Sequence, residues 1–323
     1  MKKTLIALAA IAAVGAASAQ ATISGEFAYG YLSTADNTKA VASGFGIDTA
    51  LVNIKAGEDL GGGMRVDAAM SVSTAGGNGS ATGDAQSLTL TTPVGVLSLV
   101  TLKPGDWVTG ASGGATWYGL DNKVLSARSW RDAATLTVPL SSAVSLSAGY
   151  FEPANVIGEG TGTDGNTAQS VYNLGAKYSA NGLTVTAAYL PYNSSTTAAT
   201  SAVTATRLGG NYDMGVVKVG AAVQVVKYGD GMVGTQTALS ASAPLSGKFS
   251  VNAMFASNNT STIAGSVAAG LEGTRTGYML GAQYNMSKRT YAILNNATWT
   301  GASATANHTA TSTMTALTLV HDF

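Results

Sequence analysis

The residues of this sequence that could take part in acid-base or nucleophilic chemistry are few and widely spaced. There are two histidines, His308 in a polar stretch and His321 near the last residue. A hydrolase needs a nucleophile, a histidine and an acid in contact, and no spacing here points to such a set. The adjacent carboxylates Glu58 and Asp59 lie in a glycine-rich turn, where turn formation explains them better than catalysis does. We therefore expect no enzymatic activity.

Cofactor and metal sites find equally little support. Cysteine is absent, which removes thiolate metal ligands and disulfides. The glycine runs 61–63 and 110–114 lack the strand-to-helix context and the lysine of a phosphate-binding loop. Basic and acidic residues number 17 each, so no basic surface indicates a nucleic-acid partner. We expect neither a cofactor nor a bound metal nor nucleic acid.

The charged residues that remain share a pattern, because within alternating segments they occupy the polar side. They are Lys55, Arg65, Asp67, Arg131, Lys177, Arg207, Lys218 and Arg275. A stretch without alternation, residues 104–127, adds Asp106, Asp121 and Lys123. Opposed charges across a narrow aqueous passage produce a transverse field that filters solutes by size and charge. Where the alternating segments line such a passage, most of the charges on its wall are basic. This predicts that the passage mildly prefers anions over cations. An equally weighted alternative is that these side chains only solvate a water-filled interior.

The elements that carry these charges show the period of two that is typical of β-strands. Residues 217–225 alternate between valine or alanine on one side and Lys218, Gly220, Ala222 and Gln224 on the other. Asn181-Gly182 between two such segments indicates a tight hairpin. Short turns alternate with longer loops, near residues 35, 75, 104, 153, 193, 259 and 300. We count sixteen strands, although fourteen or eighteen would also fit the weaker segments.

Composition indicates strands that face lipid on one side and water on the other. Only 11% of the residues are charged, whereas 40 are glycine. After the first residues no apolar run reaches the 18 residues that a membrane-spanning helix needs. The predicted fold class is therefore all-β, a transmembrane antiparallel β-barrel that forms a single domain over residues 20–323.

Both ends of the chain fit export to an outer membrane. Met1-Lys2-Lys3, an apolar run and Ala17-Ser18-Ala19 predict a signal peptide over residues 1–19, cleaved between Ala19 and Gln20. The last segment places Phe323, His321 and Leu319 on one side of a strand. This ending resembles the C-terminal targeting strand of bacterial outer-membrane β-barrels, and pairing it with the first strand would leave no open edge.

Aromatic residues near the ends of the predicted strands are candidates for the two lipid–water interfaces. They are Tyr31, Tyr150, Tyr178, Tyr189, Tyr284 and Trp299. Ordinary packing in a core is the alternative. Because these positions cluster at strand ends, we expect an interfacial girdle.

Several patches resemble the Gram-negative general porins of the β-proteobacterial and neisserial type. They are the leader with Ala17-Ser18-Ala19, Gly57–Gly63, residues 282–290 and Leu317–Phe323. The resemblance implies a trimer of sixteen-stranded, water-filled barrels, with the third external loop, here residues 104–127, folded inward as the constriction. The sequence departs from the family at two positions. Leu51 stands where the family usually has an arginine, and Val320 stands where the family usually has a basic residue. The acidic motif of the constriction loop is also missing, apart from Asp106 and Asp121, so selectivity does not follow from the resemblance.

We therefore predict an integral protein of the Gram-negative outer membrane through which small hydrophilic solutes and ions diffuse. The expected partners are outer-membrane lipid, lipopolysaccharide, the barrel-assembly machinery and two further copies of the chain. Two alternatives are a non-channel surface-layer or adhesive β-protein, and a lipase or protease built on a membrane barrel.

Overall fold

The computed structural model describes residues 21–36, 39–75, 81–104, 107–113, 120, 123–125, 130–153, 169–194, 202–229, 231–261, 273–300 and 311–323. Within these residues the chain forms sixteen strands and one short helix, α1 (Trp107–Ser112). The first eight strands are β1 (Thr22–Asp36), β2 (Lys39–Gly61), β3 (Met64–Ser73), β4 (Thr82–Thr92), β5 (Gly95–Leu102), β6 (Arg131–Pro139), β7 (Val144–Pro153) and β8 (Gln169–Ala180). The other eight are β9 (Leu183–Ser194), β10 (Ala202–Asp213), β11 (Lys218–Tyr228), β12 (Val233–Pro244), β13 (Phe249–Ser261), β14 (Gly273–Asn285), β15 (Thr290–Thr300) and β16 (Thr311–Asp322).

The strands close into a barrel in which each one pairs antiparallel with the next and β16 pairs with β1. At this seam the amide of Phe323 donates to the carbonyl of Gly25 at 3.0 Å, and the amide of Gly25 donates to the carbonyl of Phe323 at 2.9 Å. A Cβ on Gly25 would overlap the Phe323 ring, so the glycine makes room for the aromatic side chain. Closure pairs the backbone of every strand with two neighbours, which a strand in lipid requires. The predicted sixteen-stranded barrel is confirmed.

The two faces of each strand meet different surroundings, as β16 illustrates. Leu317 and Leu319 are 53% and 49% exposed, whereas Ala316, Thr318 and Val320 between and beside them are at most 1% exposed. A band of exposed leucines on a barrel of this kind is the lipid-facing surface, and the alternate residues face the interior. The predicted assignment of faces in β16 is therefore confirmed, with His321 on the outer side.

Most connections alternate between short and long, except that β1–β2 and β11–β12 are as short as the connections next to them. Asn181 and Gly182 have φ of 52° and 78°, the left-handed conformation that a two-residue hairpin needs. Strand β2 runs to Gly61, so the turn predicted over Gly57–Gly63 is confined to Gly62-Gly63. The loop predicted near residue 35 was too long, because β1 and β2 extend to Asp36 and from Lys39. Both strands pair well beyond the residues with clear alternation, since main-chain hydrogen bonds do not depend on that pattern.

Most of the predicted aromatic girdle lies on the outer face, with one exception. Tyr31, Tyr178, Tyr189 and Tyr284 are among the exposed large side chains, and the Tyr150 ring lies 5.3 Å from that of Tyr172. Trp299 was assigned to this girdle incorrectly. It shares the inner face of β15 with buried Ile293, Asn295 and Ala297, and it packs inside the barrel. Its position at a strand end is the same as that of the tyrosines, but its parity along the strand is opposite.

No helix among the described residues is long and apolar enough to cross a membrane.

Candidate functional site

The interior of the barrel contains a helix from the connection between β5 and β6. Helix α1 follows β5 in the sequence, yet it contacts β10, β11 and β12, several strands away around the barrel. Val108 of α1 packs against Ala222 and Ala238, which lie on the face opposite to the exposed Leu239. The helix therefore lies against the inner wall.

Small residues form the seat for this helix. A Cβ on Gly220 would overlap the carbonyl oxygen of Ser112, and a Cβ on Gly209 would lie 2.7 Å from the Cβ of Ala111. Glycine at these two inward positions allows the helix backbone to approach the wall closely. Wall side chains also donate to carbonyls at the end of α1. Ser240 Oγ donates to Ser112 at 2.7 Å, and Asn211 Nδ2 donates to Ala111 at 3.3 Å. These bonds satisfy carbonyls that a helix end leaves without a partner.

The same connection contacts the wall a second time, beyond α1. Leu120, Val124 and Leu125 are buried in one cluster with inward residues of β13–β16, namely Met254, Ala256, Met279, Ala297 and Met314. A Cβ on Gly277 would lie 2.9 Å from Val124, so a glycine again provides space. Trp299 packs on this cluster, and Lys123 Nζ lies 5.4 Å from the centre of its ring. The described parts of residues 104–127 thus follow the inner wall from β10 to β16.

A polar row crosses the wall beside the start of α1. Arg207 Nε donates to Gln224 Oε1 at 2.6 Å, and Gln224 Nε2 donates to Gln236 Oε1 at 3.1 Å. These residues are direct cross-strand partners on β10, β11 and β12. The guanidinium carbon of Arg207 lies 5.4 Å from the centre of the Trp107 ring, within cation–π range. The row holds one cation in a fixed position next to the helix.

The structure describes all the strand residues with basic side chains that the sequence predicts to face the interior. Their positions in the alternation of each strand place them on the inner face. They are Lys55, Arg65, Arg131, Lys177, Arg207, Lys218 and Arg275. They do not form one ring, because Arg131 and Arg275 lie near the long connections, and Lys177 and Lys218 lie near the short turns. Arg207 contacts α1 through the ring of Trp107.

The predicted acidic partners are only partly described. Asp67 accepts from Arg65, with Nη2 and Oδ1 2.7 Å apart, so these two charges largely neutralise each other. Asp106 and Asp121 lie outside the described residues, as do His308, Ala19 and Gln20. His321 Nδ1 lies 2.9 Å from Thr290 Oγ1. Across the described ranges no group of three or more His, Asp or Glu side chains is placed to hold a metal ion.

Sequence reasoning missed the residues that seat the helix. Gly209, Gly220, Ser240 and Asn211 carry no charge and belong to no known motif, so a search for charges passes over them. A usable signal was present nonetheless, because Gly209 and Gly220 are inward glycines on neighbouring strands. Glycine within a strand often marks a close approach by another backbone.

Comparisons with known proteins agree with this architecture. A family model described as Gram-negative porin matches residues 4–299. The anion-selective porin from Comamonas acidovorans is similar in structure, with a TM-score of 0.72 and 17% sequence identity over 95% of this chain and 100% of that one. The trimer form of OmpT, an outer membrane protein of Vibrio cholerae, gives a TM-score of 0.69 and 12% identity over 94% and 99% of the two chains.

A mutant of the Rh. blastica porin gives a TM-score of 0.61 and 14% identity over 94% of this chain and 100% of that one. A comparison with curated protein sequences finds no match. At these identities the solved structures establish the shared barrel fold, whereas the family model covers most of the sequence itself. The chain belongs to the Gram-negative porin family, and it is an integral outer-membrane β-barrel that forms a diffusion channel.

Proposed function

We propose that residues 104–127 narrow this diffusion channel for small hydrophilic solutes and ions, and that the narrowed passage mildly prefers anions. The single observation that carries the proposal is the seat of α1 on β10–β12 beside Arg207. A segment fixed against the inner wall reduces the bore at its own height. Solutes that pass at that height meet a cation held by Gln224.

The distribution of inward charges supports the preference for anions. Carboxylates with inward parity, such as Asp59, Asp67 and Asp322, lie close to the short-turn end of the barrel. Arg207 lies further along β10, where its cross-strand partners are Ala188 and Gln224 rather than a carboxylate. A cation near a low-dielectric wall raises the local concentration of anions in a narrow passage. The similar Comamonas acidovorans porin is anion-selective by name, which is consistent with this proposal.

Charge reversal tests the proposal against the alternative that the cations only solvate the lumen. We expect Arg207→Glu to lower the anion-to-cation permeability ratio strongly, because this charge lies beside the narrowing segment. Lys218→Glu and Arg65→Glu should act less, since Lys218 lies near the short turns and Arg65 is already paired with Asp67. Reversal potentials across a planar bilayer with a salt gradient give the ratios. Unchanged ratios in all three variants would leave the lumen cations with a solvating role only.

The assembly and processing of the porin follow as further parts of the proposal. OmpT of Vibrio cholerae is known in a trimer form, and the family resemblance also favours a trimer here. The β16 residues Leu319, His321 and Phe323 would serve as the signal for the barrel-assembly machinery, and lipopolysaccharide would contact the outer leaflet. Cleavage of the leader after Ala19 would precede assembly. We propose transport without catalysis, since His321 faces outward beside Thr290 rather than into the channel.

A further inference from the structure

Three short turns of the barrel share one design. In each, the side-chain oxygen of a serine accepts hydrogen bonds from the backbone amides two and three residues further along the chain. A large apolar residue directly precedes the serine. Ser141 Oγ accepts at 3.2 and 3.1 Å, Ser246 Oγ at 3.3 and 3.1 Å, and Ser287 Oγ at 3.2 and 3.0 Å. Such bonds fix the turn locally. The turns connect β6–β7, β12–β13 and β14–β15, and short connections of this type of barrel face the periplasm.

Each of these turns presents an apolar side chain at the rim. Leu140, Leu245 and Met286 are 60%, 62% and 49% exposed. Exposed apolar residues just beyond the barrel wall suit the boundary between headgroups and acyl chains. The cross-strand pair Phe249 and Tyr284 lies directly above the last two turns and adds aromatic side chains at the same end.

The last two turns differ from the first in charge. The two residues after the serine are Ser142-Ala143 in the first turn, Gly247-Lys248 in the second and Lys288-Arg289 in the third. The second and third turns are also neighbours, because the amide of Asn285 donates to the carbonyl of Lys248 at 2.8 Å. Lys248, Lys288 and Arg289 are exposed, and none of them is in an ion pair within the described part of the chain. Three cations therefore project beside two exposed apolar side chains.

We propose that the β12–β13 and β14–β15 turns together bind an anionic phospholipid of the periplasmic leaflet. The phosphodiester would lie among Lys248, Lys288 and Arg289, and an acyl chain would lie along Leu245 and Met286. Basic clusters beside membrane-embedded apolar surface attract anionic lipids by this combination. The first turn presents the same apolar residue without the cations, so it would contact lipid without distinguishing headgroups.

The test compares spin-labelled phosphatidylglycerol with spin-labelled phosphatidylcholine around the full-length protein in phosphatidylcholine bilayers, by electron paramagnetic resonance. We expect the wild type to prefer the anionic lipid, and Lys248→Gln with Lys288→Gln and Arg289→Gln to lose that preference. Adding 1 M salt, which shortens the screening length to about 3 Å, should weaken the wild-type preference in the same way. Single-channel conductance and heat-modifiable gel mobility verify that the variant barrel is intact.

A gain-of-function variant adds a test that does not depend on a loss of lipid preference. Ser142→Lys with Ala143→Arg copies the Lys288-Arg289 sequence onto the first turn, and in the triple variant it should restore part of the preference. A wild type without preference, or a triple variant that keeps it, overturns the proposal. If the triple variant loses binding to purified peptidoglycan while its lipid preference is unchanged, the turns bind the cell wall instead, and the lipid proposal is wrong.

Discussion

Two regions of the inner wall contrast in what they touch. The covered wall, which is the inner face of β10–β16, lies against the segment from β5 to β6 and contains small and apolar residues, among them Gly220, Ala222, Ala238, Ala256, Met279 and Ala297. The open wall, which is the inner face of β2–β7, contains hydroxyl and amide side chains, among them Asn53, Ser71, Thr89, Ser98, Thr135 and Ser147. These six side chains are partly exposed.

The difference shows that the period of two identifies the faces of a strand but not what covers them. Both walls alternate with an outer apolar face, so both satisfy the geometry of a membrane strand. Inward residues of the open wall are mostly polar, whereas the buried polar residues of the covered wall, such as Gln224, Gln236 and Ser240, are hydrogen-bonded to neighbouring protein groups. On the covered wall a peptide segment takes the place of water, so apolar side chains and glycines are favoured there. The kind of residue at an inward position therefore depends on whether water or a peptide segment covers it.

We expect the largest effect from a substitution on the covered wall that fills the space occupied by α1. Gly220→Val adds a Cβ where the Ser112 carbonyl lies, and the wall cannot move because it is paired on both sides. We expect α1 to be displaced, the single-channel conductance and the size limit for solutes to rise, and the stability to fall by about 1–3 kcal/mol as in other overpacked sites. Planar-bilayer recording and liposome swelling with sugars of increasing size measure the first two effects.

Gly44→Val is the matched control for this change. Gly44 lies in β2, and a Cβ there meets no atom within 4 Å. Its conductance should equal that of the wild type. A Gly220→Val channel with unchanged conductance and size limit would mean that α1 does not set the bore.

Sequence reasoning reached the fold because its signals are repetitive. Sixteen strands repeat the same alternation, and Asn181-Gly182 and the β16 pattern are local. The site is different, because the contact of Ser112 with Gly220 and Ser240 joins residues more than a hundred positions apart. In a segment that lacks alternation, no sequence pattern indicates which strands the segment will contact. Trp299 was misassigned for another reason, because it ends its strand on the side opposite to that of the tyrosines.

A smaller change sharpens the contrast without altering shape. Ser240→Ala removes the donor to the Ser112 carbonyl at 2.7 Å and leaves that buried acceptor without this bond. We expect a loss of about 1 kcal/mol in unfolding free energy, as is usual for a single hydrogen bond, together with noisier open-channel current. Thermal or urea unfolding in detergent and current-noise spectra measure the two effects.

Ser98→Ala on the open wall is the control for Ser240→Ala. Ser98 has the same side chain on β5, where water in the lumen competes for its hydroxyl. Its removal should leave both stability and current noise unchanged. Equal effects from the two serines would show that the covered wall does not hold α1 through this bond.

The smallest expected effect comes from a charge on the open wall. Lys55 has inward parity on β2, is exposed, and lies across the barrel from the seat of α1. Lys55→Gln should change stability by no more than about 0.5 kcal/mol, because an exposed surface substitution disturbs no packing. Its effect on the permeability ratio should be small and should disappear in 1 M salt, where the screening length is about 3 Å. Arg207→Gln, beside Trp107, should keep most of its effect in the same salt, because part of its surroundings is protein rather than water. Recording both variants at low and high salt compares the two walls directly, and equal salt dependence would mean that their inward charges meet the same solvent.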